Sequence, residues 1–155
     1  MSPAQTPSFR RALPSDIPAM SAIRLAVKEN VLSDPTRVTT RMYEDYLDLL
    51  GRGWVAEIDG AIVGFSYANS TDASIWALFI APAFEGRGLA RRLLALAVSW
   101  LFEQGQPAVR LSTGARTRAA QFYALQGWTV EREDEKDTYF ILRQSDWQSG
   151  QRAAA

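Results

Sequence analysis

Gly86 and Gly88 sit one residue apart between an apolar run and a long amphipathic stretch, with Arg87, Arg91 and Arg92 around them. The run Leu78-Phe79-Ile80-Ala81-Pro82 reads as a buried strand stopped by proline, and the residues from Gly88 onward read as a helix. The first amides of a helix have no partner inside it and point outward along its axis. Glycine takes backbone angles that other residues avoid and carries no side chain to obstruct a ligand. A strand–Gly-x-Gly–helix passage can therefore hold phosphate oxygens on main-chain N–H groups. A charge-assisted hydrogen bond contributes about 1.5–3 kcal/mol net, so a few amides suffice for a diphosphate. The same residues also suit a plain tight turn feeding a core helix, and the segment alone leaves both readings open. It lacks the Gly-Lys-Ser/Thr of a P-loop, and Arg91 stands where a dinucleotide fingerprint needs its third glycine. Nor does it follow the first strand, where that fingerprint belongs.

Absent residue types narrow the chemistry. With Cys 0 and His 0 there is no thiol nucleophile, no disulfide, no imidazole base, no Ser-His-Asp triad and none of the usual zinc sites, so no metal is expected. Proton transfer falls to Asp, Glu, Tyr, Lys or water. Lys+Arg 17 balance Asp+Glu 17, which leaves no electrostatic footprint for nucleic acid or an anionic membrane. Any bound anion must then be held by a local arrangement. A hydrophobic fraction of 47% and a charged fraction of 22% are those of a soluble globular protein. Met1–Ser8 is polar and proline-containing, without the apolar core of a signal peptide, and no apolar run reaches the length of a membrane span. A cytoplasmic location is the expectation.

The elements that must position the glycine turn can be read in order. One domain is expected over 8–147, with 1–7 and 148–155 as flexible termini. Phe9–Ala12 predicts a first strand, and Pro14-Ser15-Asp16 a turn with a helix cap, followed by Ile17, Met20, Ile23 and Val27 at helical spacing. Asn30–Thr40 reads as a loop and Arg41–Leu50 as a second helix. Gly53–Ile58 and Ala61–Ala68 are strands joined by a hairpin at Asp59-Gly60, and Ser74–Ile80 is a strongly apolar strand. Gly88–Gln104 is a helix with a buried stripe of Leu89, Leu93, Leu96, Ala97, Trp100 and Leu101. Ala108–Thr113 is a strand, Arg116–Gln126 a helix, and Trp128–Arg132 with Thr138–Arg143 a final hairpin. This order predicts an α+β fold, a mixed and largely antiparallel central sheet with helices on both faces. The passage from Ser74 to Thr113 requires a right-handed crossover and parallel pairing.

Two segments together resemble a known family. Ile80-Ala81-Pro82 followed by Glu85-Gly86-Arg87-Gly88-Leu89-Ala90 is similar to the acetyl-CoA-binding motif of the GNAT superfamily of N-acetyltransferases. That motif is a strand ending in a branched residue, then x-Pro, then Arg/Gln-x-x-Gly-x-Gly/Ala. The second segment runs from Thr113-Gly114-Ala115-Arg116 through Phe122-Tyr123 to Gly127-Trp128, at the family's spacing. The resemblance covers nearly the whole chain. Glu85 departs from the usual Arg/Gln, and Arg116 stands where many members have Asn.

The resemblance implies acetyl-CoA as cosubstrate. Its pantetheine arm would lie along Leu78, Phe79 and Ile80 as an added strand, where the sheet splays between the strands ending at Ile80 and Thr113. Its diphosphate would lie on the main chain of Gly86, Arg87, Gly88, Leu89, Ala90 and Arg91. Arg116 would meet the cofactor or cap its helix. An amide near Phe79–Ile80 would polarise the thioester carbonyl, and Tyr123 would protonate the departing thiolate. The other reading of Tyr123 is a helix aromatic packed under the final hairpin. The acceptor is expected to be a primary amine on a small molecule or a peptide. The loop Asn30–Thr40 occupies the family's acceptor region, which makes Glu29, Asn30, Asp34 and Trp76 candidate acceptor contacts, with Asp72 a further candidate at its border. No general base is identified. Family members commonly form homodimers, with no surface marked here. The alternatives are a non-catalytic CoA-binding sensor of the same fold and a nucleotide-binding protein using the same turn.

Overall fold

Seven strands form one sheet. In chain order they are β1 (Ser8–Arg11), β2 (Gly51–Ile58), β3 (Ala61–Asn69), β4 (Ser74–Ile80), β5 (Ala108–Gly114), β6 (Thr129–Glu133) and β7 (Asp137–Arg143). Among the described residues the α-helices are α1 (Ile17–Ala26), α2 (Leu89–Glu103) and α3 (Arg118–Leu125). The computed structural model describes residues 6–26 and 50–147. The predicted loop over 30–40, all but the last residue of the predicted helix over 41–50, and Val27, Glu29, Asn30 and Asp34 lie outside the described residues.

The sheet runs β1-β2-β3-β4-β5-β7-β6, and every neighbouring pair is antiparallel except β4 with β5. This is the mixed sheet the sequence predicts, with its parallel pair at the expected crossover through α2. Asp59 and Gly60 both have positive φ, +52° and +79°, as a tight two-residue hairpin requires. Helices cover both faces. On one, Ile17, Met20 and Ile23 of α1 pack on Val55, Phe65, Tyr67, Ala77 and Phe79. On the other, α2 packs on Trp54, Ala56, Val63 and Ile75. The buried face of α2 is broader than the predicted stripe: Leu94, Val98 and Phe102 are buried, while Leu96 and Trp100 are only half-buried. A helix lying flat on a sheet buries a wide face, and Trp100 is left on its flank, edge-on to the buried ring of Trp54 at 6.0 Å.

Of the sheet's register shifts, the one between β3 and β4 lies beside the site. In the β3–β4 register Tyr67 faces Ala77 and Ala68 faces Ile75, so Trp76 is skipped. Such a bulge bends its strand and reverses which side chains face which way. Ile75 accordingly joins the α2 side of the core, whereas Ala77 and Phe79 join the α1 side. At the same point β4 parts from β5. Their pairing is confined to Ser74 opposite Arg110, with the Arg110 N–H donating to the Ala73 carbonyl at 3.0 Å.

The start of α1 is anchored by a buried carboxylate. Asp16 accepts from the Leu13 N–H at 2.7 Å and from both terminal nitrogens of Arg10 at 2.7 and 2.9 Å, and Arg10 also pairs with Glu57 of β2. The Arg10 guanidinium holds the Asp16 carboxyl below the usual carboxylate range, against the opposing effect of burial. A depressed carboxyl stabilises the fold above its unfolded value near 4, and that contribution is lost as pH falls through the folded value. Asp16→Asn is expected to lower stability by about 1–3 kcal/mol in urea unfolding at pH 7. The difference from the wild type should shrink as the titration is repeated at progressively lower pH.

Candidate active site

The glycine turn is set by backbone angle. A 3₁₀ turn over Pro82–Phe84 ends β4, with the Phe84 N–H donating to the Ala81 carbonyl at 2.8 Å. Gly86 and Gly88 then adopt φ of +78° and +81°, in the left-handed region. A Cβ built on either would meet no other described residue within 4 Å beyond its chain neighbours, so the described residues leave the space above the turn open. Gly88 caps α2 with no side chain, and the Arg92 N–H donates back to its carbonyl at 3.4 Å. The amides of Gly86, Gly88, Leu89, Ala90 and Arg91 have no acceptor among the described residues.

The bent part of β4 presents its own main chain. The Ala81 N–H donates to the Val63 carbonyl at 2.8 Å, and the register places Phe79 opposite Phe65 and Ile80 opposite Gly64. Bonding pairs alternate along an antiparallel ladder, so Phe79 exchanges its bonds with β3 while the N–H and C=O of Leu78 and Ile80 point to the other side. That side is the gap left where β5 has diverged. A cleft of about 530 Å³ occupies it, walled by Leu78, Phe79 and Ile80, by the loop through Gly86 and Gly88 to Arg91, and by α3.

Of the residues singled out in the sequence, Leu78, Phe79, Ile80, Gly86, Gly88, Leu89, Ala90, Arg91 and Tyr123 all line this cleft. Arg87 does not: its guanidinium lies over the Phe84 ring at 4.9 Å. Arg92 is also turned away, over Phe9 at 4.1 Å. Arg116 is neither in the cleft nor a helix cap. It has φ +61° and donates to the Glu135 carbonyl at 2.8 Å. Thr117 is the cap, its hydroxyl accepting from the Ala120 N–H at 3.1 Å and donating to the Gly114 carbonyl at 2.7 Å. Sequence reasoning noted Glu85 only as a departure from the motif and did not single out Arg118; both line the cleft and pair at 3.3 Å. Arg118, Ala119, Phe122, Tyr123 and Gln126 make up the α3 wall, a spacing that marks one helix face and was legible in the sequence.

Tyr123 is buried beneath this wall, with Phe122, Trp128 and Phe140 around its ring at 5.3, 5.8 and 5.8 Å. Tyr123 thus packs under the final hairpin, as one of its sequence readings expects, and it also borders the cleft. Burial pushes its hydroxyl above the usual value near 10, so it stays neutral and able to donate.

A second, smaller cleft of about 330 Å³ opens where β4 and β5 begin to separate. It brings Trp76, the bulge residue, beside Asp72, Ser74, Glu131 and Tyr139. Asp72 accepts from the Ser74 hydroxyl at 2.6 Å, and Glu131 pairs with Arg110 at 3.0 Å. Phe140 lines this cleft and backs the Tyr123 ring. Trp76 and Leu78, two positions apart along β4 and so about 7 Å apart, serve one cleft each. Trp54 and Trp76 thus divide: the first is core, the second lines a cleft.

The model of the acetyltransferase (GNAT) family matches residues 19–128. Over 150 residues the chain is 27% identical to an aminoglycoside N(6')-acetyltransferase type 1 of Stenotrophomonas maltophilia, spanning 90% of this chain and 95% of that protein. Its fold is similar to that of the PaiA N-acetyltransferase of Thermoplasma acidophilum, solved with coenzyme A, at a TM-score of 0.75 and 15% identity over 89% of this chain and 99% of that one. The acetyl-CoA complex of YncA from Salmonella typhimurium superposes at a TM-score of 0.74 with 19% identity, over 88% of this chain and 93% of the other.

Proposed function

The chain belongs to the acetyltransferase (GNAT) family, and on that footing we propose that it transfers an acetyl group from acetyl-CoA to a primary amine, by direct attack of the amine within a ternary complex. The observation that carries this is the convergence, in one cleft, of the outward main chain of Leu78 and Ile80, the unsatisfied amides at the start of α2 and the Tyr123 side chain.

The residues suit the cosubstrate. The amides of Gly86 and Gly88 through Arg91 are free to bond a diphosphate, and the positive end of α2 favours it. Leu78 and Ile80 offer a sheet edge to the amide-bearing pantetheine arm. Bound acetyl-CoA supplies an activated acyl thioester. Because Phe79 is committed to β3, the amide that donates to the thioester oxygen is that of Leu78 or Ile80. Tyr123 donates its hydroxyl hydrogen to the sulfur as the C–S bond breaks. The thiolate of a thiol near pKa 8.5 is a weaker base than a buried phenolate, so Tyr123 keeps its proton and stabilises the sulfur by hydrogen bonding, and the proton shed by the attacking amine balances the one the thiolate takes up. With no carboxylate on β4, water carries the amine's proton away.

The acceptor enters by the smaller cleft, where Trp76 and Tyr139 give flat walls and Asp72 an anion for the ammonium form. Thiol release should be followed with acetyl-CoA and a panel containing an aminoglycoside, a polyamine and a peptide N-terminus. Amine-dependent release is expected. CoA heat in calorimetry without turnover on any amine would favour the sensor reading, and no heat at all would end the cofactor assignment. Asp72→Asn should raise KM for the accepted amine by about five- to tenfold, with KM for acetyl-CoA unchanged.

A further inference from the structure

Two charged side chains of opposite sign, Glu85 and Arg118, face each other across the larger cleft, and a bound anion would repel the first and attract the second. Glu85 directly precedes the glycine turn, where α2 presents its positive end, so its carboxylate suits the ligand-free loop and repels a diphosphate. Arg118 is the first residue of α3, where the helix dipole disfavours a cation, and Thr117 already caps that helix. Arg118 thus does nothing for its own helix, whereas Glu85 favours the loop only while no anion is bound. Their pairing at 3.3 Å joins the loop to α3 over a cleft that both residues line. Arg118 is 75% exposed and Glu85 38%, so a pair of this kind exchanges readily with a competing anion.

We propose that Glu85 and Arg118 form an exchangeable pair, in which the cofactor diphosphate displaces the Glu85 carboxylate and takes over the Arg118 guanidinium. This rests on the cofactor reading above and assigns Arg118 a binding role there. It also accounts for an acidic residue at the head of the loop: the donor that the family motif carries at this point is supplied here by Arg118 from α3, and Glu85 weakens cofactor retention. Arg91, also in the cleft, keeps its charge on the α2 side, so the diphosphate is met from both walls.

Calorimetry with coenzyme A and with pantetheine, which has no phosphate, separates the possibilities. Glu85→Gln should tighten coenzyme A binding by about fivefold, and Arg118→Ala should weaken it by about tenfold with a shallower salt dependence, while pantetheine binding stays the same in both. If Glu85→Gln weakens coenzyme A or leaves it unchanged, the pair is a fixed strut and the exchange is wrong. If Arg118→Ala leaves coenzyme A affinity unchanged, or pantetheine shifts in parallel, Arg118 has no role at the phosphates. A wild-type protein that binds no coenzyme A overturns the cofactor reading itself, a result distinct from unchanged affinities in the variants.

Discussion

Gly88→Val should raise the Kd for acetyl-CoA by a hundredfold or more. Gly88 sits at φ +81°, where an L-residue costs about 1–2 kcal/mol and a β-branched one more. The protein can escape that strain only by shifting the turn, which re-aims the amides at the start of α2. If the turn holds instead, the new side chain projects into the open space over those amides. Losing two charge-assisted bonds at about 1.5–3 kcal/mol each already exceeds a hundredfold in affinity. A control separates strain from site. Gly105 has φ +90° and equally open surroundings, but it lies at the far end of α2, away from the cleft. Gly105→Val should lower the melting temperature comparably while leaving acetyl-CoA affinity intact. Equal affinity losses in both variants would mean that Gly88 matters to folding alone.

Tyr123→Phe should cut kcat by about a hundredfold and leave coenzyme A affinity close to the wild-type value. The ring contacts with Phe122, Trp128 and Phe140 survive the change, so only the hydroxyl is tested. Because burial raises this hydroxyl above 10, its ionisation puts no descending limb on the wild-type rate profile at pH 10 or below. Stability has the matching sign. Above about pH 10 the unfolded chain loses the tyrosine proton while the buried side chain keeps it, so wild-type stability falls with rising pH relative to the phenylalanine variant. An unchanged kcat in that variant would confine Tyr123 to packing.

Much of this molecule is written in local pattern. The apolar run of β4, the spacing along α2 and the Asp59-Gly60 hairpin each declare themselves within a few residues. The left-handed glycines are legible because few other residues tolerate those angles. Long-range facts are not. That Arg87 lies on Phe84, that Arg116 reaches Glu135, and that Arg118 meets Glu85 all depend on which segments the sheet order brings together. Charge alone made Arg87, Arg91, Arg92 and Arg116 equivalent in the sequence, whereas geometry keeps only Arg91 of them in the cleft. The bulge at Trp76 was equally hidden, because one surplus residue in an apolar strand leaves no compositional mark.

That surplus residue has a consequence for how the scaffold can be altered. Deleting Trp76 would let β4 run straight on beside β5 past Ser74, and the carbonyls and amides of Leu78 and Ile80 would be spent on stitching the two halves into a continuous blanket. The result should be a sturdier protein with its doorway sewn shut. Stability gained at this seam and ligand access through it are drawn from the same few main-chain groups, so an engineer cannot raise one without lowering the other.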